Sequence, residues 1–113
     1  MCIFGVEQKE EWSNPYSVAV ADFNHDKYLD IIVGNVGSKN ILLLFGDGNE
    51  TFVKSKSYSL GYFSLPYSIA VGDFNRDNWT DIVIANYGTD NVEIYLQICD
   101  NTTVEFEMIF PKI

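Results

Sequence analysis

Asp22-Phe23-Asn24-His25-Asp26-Lys27-Tyr28-Leu29-Asp30 is followed, 51 residues on (73 minus 22), by Asp73-Phe74-Asn75-Arg76-Asp77-Asn78-Trp79-Thr80-Asp81. Both stretches carry oxygen-bearing side chains at relative positions 1, 3, 5 and 9. Val18-Ala19-Val20 precedes the first and Ile31-Ile32-Val33 follows it, so the loop joins two β-type runs. Asp and Asn are also common turn residues, because their side chains bond nearby backbone N–H groups. One copy could therefore be a solvated turn. Two copies in one register, each with three Asp that repel one another unless a cation offsets them, favour a metal loop. Ca²⁺ suits such a loop, since it accepts about six to eight oxygens at about 2.3–2.6 Å in irregular geometry.

An EF-hand needs Gly at position 6 and a bidentate Glu at position 12, between two helices. Here position 6 is Lys27 or Asn78, position 12 is Val33 or Ile84, and no helical stripe flanks either loop. The Gly-rich nonapeptide of β-helical calcium proteins is absent as well. The loop instead joins two strands and closes at Asp30 or Asp81 as the second begins.

The repetition extends beyond the loops. Pro15-Tyr16-Ser17 matches Pro66-Tyr67-Ser68, Ala19-Val20 matches Ala70-Val71, and Asn35, Gly37 and Asn40 match Asn86, Gly88 and Asn91. Such a period, made of short strands, implies a stack of supersecondary units. The first unit reads as strands at Ser17–Ala21, Asp30–Asn35, Asn40–Phe45 and Phe52–Tyr58. A hairpin turn separates Asn35 from Asn40, with Gly37 available for positive φ. The second unit reads as Ser68–Gly72, Asp81–Asn86, Asn91–Leu96 and Val104–Phe110. The fold class is therefore all-β: two four-stranded antiparallel β-propeller blades, as a partial propeller or a propeller-forming repeat pair. Residues 15–65 and 66–113 are the two repeats, and 1–14 the outer strand of a preceding blade (Phe4–Lys9) with its linker.

With these motifs in place, the pattern resembles the FG-GAP/VCBS repeat, the blade unit of integrin α-subunit propellers. The Phe-x-Gly-Gly-Ala-Pro signature of that family is missing, which places the chain nearer the VCBS-like branch. The resemblance implies two structural Ca²⁺ ions. The first would be held by Asp22, Asn24, Asp26, Asp30 and the carbonyl of Tyr28, the second by Asp73, Asn75, Asp77, Asp81 and the carbonyl of Trp79. It also implies positive φ at position 6, where the usual Gly is Lys27 or Asn78.

Sixteen acids against seven bases give a net charge of −9, which argues against nucleic acid or an anionic membrane as partner. Six of the acids lie in the two loops, and two Ca²⁺ would bring −9 to −5. No apolar run reaches the roughly 18 residues of a membrane span. Met1–Val6 is too short and uncharged for a signal peptide, so the export signal is trimmed or the chain is a piece of a longer one. Sequons at Asn49, Asn78 and Asn101 lean towards an extracellular or cell-surface setting, where Cys2 and Cys99 could pair or remain free thiols. Two blades leave sheet faces uncovered, so a longer array or a homo-oligomer is expected. Catalysis finds no residues: the lone His25 sits inside a metal loop and no triad can be assembled. Two binding functions remain. One is a calcium-stabilised protein-interaction or adhesion module. The other is a lectin-like carbohydrate binder using Trp12, Tyr62, Tyr67, Trp79 or Tyr87, aromatics that would otherwise pack between blades.

Overall fold

A computed structural model of the chain describes residues 14–49, 51–60, 65–87, 91–98 and 105–109. The strands are β1 Pro15–Ala21, β2 Asp30–Asn35, β3 Asn40–Gly46, β4 Phe52–Ser59, β5 Pro66–Gly72, β6 Asp81–Asn86, β7 Asn91–Ile98 and β8 Glu105–Ile109. They form two antiparallel sheets of four, ordered β1-β2-β3-β4 and β5-β6-β7-β8. No helix occurs among the described residues. This is the arrangement of two propeller-like blades, without a closed ring.

β2 and β6 fall where the sequence places them, but β1 and β5 begin two residues earlier, at proline. Pro15 pairs with Asn35 and Ser17 with Gly34, so Tyr16 is a bulge; Pro66, Tyr67 and Ser68 repeat it against Asn86 and Ala85. Proline lacks a ladder donor and is tolerated at the first residue of an edge strand. β7 continues to Ile98 because Ile98 pairs with Glu105 of β8. The Asn35–Asn40 hairpin departs from expectation at its glycine. Positive φ (54°) falls on Lys39, the last loop residue, and not on Gly37. A turn followed by one left-handed residue re-enters the strand that way, and here Asn35 Nδ2 and Ser38 Oγ both donate to Asn40 Oδ1, at 3.0 and 2.8 Å. The expected strand Phe4–Lys9, Cys2, Cys99, Asn101, Trp12 and Tyr62 lie outside the described residues.

One core spans both blades. Ile32, Ile41 and Leu43 of the first sheet and Ile69, Ile82, Ile84 and Tyr95 of the second form a single buried cluster with Phe23 and Leu60. The inner strands make the closest approach. Ser17 Oγ accepts a hydrogen bond from Ile69 N at 3.0 Å. A Cβ on Gly34 would stand 3.1 Å from Ile69 Cδ1 and 3.2 Å from the Pro66 carbonyl oxygen. Small residues on the two inner strands, Ser17 of β1 and Gly34 of β2, are thus what lets the two sheets meet. The seam also holds polar groups: Gln97 Nε2 donates to the Phe23 carbonyl at 2.8 Å, and the Tyr95 hydroxyl donates to Glu93 Oε2 at 2.6 Å. Burial and the Glu93 charge push the Tyr95 phenol well above its ordinary range.

Candidate metal centres

Each nine-residue loop leaves the inner strand of its blade and returns as the second strand. Local hydrogen bonds fold both loops alike. Asp22 accepts from the amides of Asp26 (3.2 Å) and Lys27 (2.7 Å), and Asp73 from those of Asp77 (3.1 Å) and Asn78 (2.9 Å). Asp26 accepts from Tyr28 N and Asp77 from Trp79 N, both at 3.0 Å. These bonds need two left-handed residues per loop. They are Lys27 (φ 72°) and Asn78 (69°) at position 6, with His25 (59°) and Arg76 (61°) at position 4. The family pattern foretells the first pair but not the second.

The position-9 carboxylates anchor the loops in a way that the sequence does not disclose. Asp30 is fully buried and accepts from Phe23 N at 2.8 Å and from Gly46 N, across the sheet in β3, at 3.1 Å. Asp81, equally buried, accepts from Phe74 N and from Gln97 N of β7, both at 2.9 Å. Each therefore ties its loop to the third strand. Loss of hydration raises the Asp30 carboxyl above its ordinary range; the Phe23 and Gly46 amides oppose the shift, while Asp26 and Asp22 add to it. At Asp73 desolvation also acts upward, but amide donors from Asn78, Asp77 and Arg76 outweigh it and hold the carboxyl low.

This folding brings three carboxylates together in each loop: Asp22, Asp26 and Asp30 in one, Asp73, Asp77 and Asp81 in the other. In each trio the ligand-type oxygens lie within 4.8 Å of one another. Asn24 fits the same focus. One end of its amide lies 2.9 Å from Asp26 Oδ1 and 3.0 Å from Asp22 Oδ1. Turned one way its NH₂ donates to both carboxylates. Turned the other way its oxygen joins theirs around a common point, which is stable only with a cation between them. Asn75 holds the same loop position in the second copy, and the Tyr28 and Trp79 carbonyls sit at position 7 of each loop. An all-oxygen donor set of this kind suits a hard cation.

The loops also touch. The His25 and Trp79 rings stack, with centroids 3.9 Å apart and planes at 4°. No local pattern signals this contact, because it joins position 4 of one loop to position 7 of the other.

Two blades, each bearing an acidic loop at the same turn, define a repeat protein of the propeller-blade class. The chain belongs to the FG-GAP-like repeat family, whose profile matches residues 22–84, from the first Asp of the first loop into β6. No curated protein and no solved structure matches the chain.

Proposed function

We propose that this chain is a calcium-stabilised binding module of an extracellular or cell-surface protein, with protein interaction or adhesion as its role and no catalysis. The observation that carries the reading is the pair of identically built loops, each focusing three carboxylates within 4.8 Å. A bound Ca²⁺ supplies positive charge that offsets their repulsion. Asp22, Asn24, Asp26, Asp30 and the Tyr28 carbonyl would hold one ion, and Asp73, Asn75, Asp77, Asp81 and the Trp79 carbonyl the other. Asp30 and Asp81 fasten each loop to its sheet, so the site stiffens the blade and leaves the opposite end free for a partner. Titration of chelated protein should show two Ca²⁺ sites and a rise in melting temperature, as a ligand of the folded state alone stabilises by RT ln(1 + [L]/Kd). Absence of both heat and a melting shift at millimolar Ca²⁺ would sink the reading.

A carbohydrate-binding role is favoured by one feature. Tyr16, Tyr67 and Tyr87 form an edge-to-face ladder (centroids 4.8 and 5.3 Å apart) and are 56, 41 and 71 % exposed. Such a platform suits stacking on sugar rings. A glycan array separates the two roles.

A further inference from the structure

The seam between the blades is an interface whose two sides both recur, unpaired among the described residues, on the outer faces of the two sheets. Subtracting the repeat offset of 51 residues (73 minus 22) from Ile69, Val71, Ile82 and Ile84 gives Val18, Val20, Ile31 and Val33 on the free face of the first sheet. Adding it to Ser17, Ala19, Phe23 and Ile41 gives Ser68, Ala70, Phe74 and Val92 on the free face of the second. The cross-strand pairs Ser68–Ala85 and Ala85–Val92 place Val92 in one row with Ser68. Inside the seam Phe23 and Ile41 are fully buried and Ile69 is 8 % exposed. Their images are open: Phe74 49 %, Val92 43 % and Val18 60 %.

The polar and aromatic contacts have images too. His25 on Trp79 corresponds to Arg76 and Tyr28, both exposed, and a guanidinium on a phenol face is a favourable cation–π pair. Tyr16 against Tyr67 corresponds to Tyr67 of one molecule against Tyr16 of the next.

We propose that these faces bind a second copy of this chain, head to tail. The Val92 face of one copy would pack on the Val18 face of the next as the first blade packs on the second. The occupant follows from the internal seam: each free face already has its complement built at the other end of the same molecule. The contact is heterologous, because the two faces differ, so it propagates until a ring closes. Propellers close at about four to eight blades, and with two blades per copy the ring holds roughly two to four copies. One internal bond has no image: Gln97 donates to the Phe23 carbonyl, whereas its counterpart Gly46 has no side chain to reach Phe74. The seam between copies is therefore weaker than the one within. The inference rests on sheet packing and not on the ion.

Light scattering across a wide concentration range tests it. The wild-type chain should associate into small closed oligomers. Val18→Asp and Val92→Asp should each be monomeric alone, and an equal mixture should give a heterodimer and nothing larger, since each variant retains one intact face. Arg76→Glu, which leaves both apolar faces intact, should fold normally and weaken association roughly five-fold or more. A wild-type chain that stays monomeric throughout overturns the proposal. So does association surviving in either single-face variant, a mixture that never pairs, or unchanged association in folded Arg76→Glu.

Discussion

His25 lies flat on Trp79, 3.9 Å between ring centroids and 4° from parallel, so the two acidic loops share a wall. His25 stands between Asn24 and Asp26 of one loop, and Trp79 donates its amide to Asp77 of the other. His25→Ala should cost about 0.5–1.5 kcal/mol of folding stability, the range for an aromatic pair. It should also weaken Ca²⁺ at the second loop a few-fold while leaving two sites per chain. Calorimetric titration that finds the second site unchanged would show the stack to be incidental.

Position 6 should separate the loops in Ca²⁺ affinity. Both Lys27 and Asn78 are left-handed, a conformation that costs Lys roughly 1 kcal/mol and Asn less. Lys27 would also bring positive charge towards a bound cation. With Asp77→Ala the surviving first loop should bind Ca²⁺ more weakly than the surviving second loop in Asp26→Ala, in unglycosylated protein. Equal or reversed affinities would refute the backbone argument.

Asp81 and Asp77 should behave differently once calcium is removed. Asp81→Ala strands the Phe74 and Gln97 amides and should cost about 1–3 kcal/mol for a buried amide left unpaired, even in chelator. Asp77→Ala removes a proposed Ca²⁺ ligand from the loop surface and should lower stability mainly when Ca²⁺ is present. Melting curves with and without chelator distinguish them; similar losses for both variants in chelator would contradict the anchoring role of Asp81.

Gly34 and its repeat image Ala85 make a second contrast. A side chain at Gly34 meets Ile69 and Pro66 across the seam, so Gly34→Val should destabilise by about 1–3 kcal/mol through overpacking. Ala85 is exposed, and Ala85→Val in dilute monomer should stay within about 0.5 kcal/mol. Urea unfolding of both variants provides the check.

Without calcium, Asp30 sets a pH dependence of known sign. Its folded-state carboxyl lies above the ordinary 3.8, so the folded chain binds the proton more tightly than the unfolded one. Its destabilising effect is complete above the raised value and is relieved as pH falls through that value towards 3.8. In chelator, the stability of wild type relative to Asp30→Asn should therefore rise as pH drops through this window. A difference that stays flat or falls contradicts the assignment.

The sequence by itself determined the units. Asp, Asn and apolar runs in a fixed register define strand, loop and strand, because turn chemistry and period-two burial act over a few residues. The two trios of Asp were legible for the same reason, since positions 1, 5 and 9 of one tight loop can converge. The Gly37 turn shows where local reasoning stops: Lys39 takes the left-handed backbone because of how the chain re-enters β3. The rest was decided by the tertiary structure. Asp30 reaching Gly46, Gln97 capping Phe23 and His25 covering Trp79 all join residues far apart in the chain. Repeats make equivalent residues alike in sequence, but only packing makes one of them buried and the other open. Phe23 is sealed in the seam while Phe74, in the same motif, is 49 % exposed, because just one of them has a neighbouring blade to lie against.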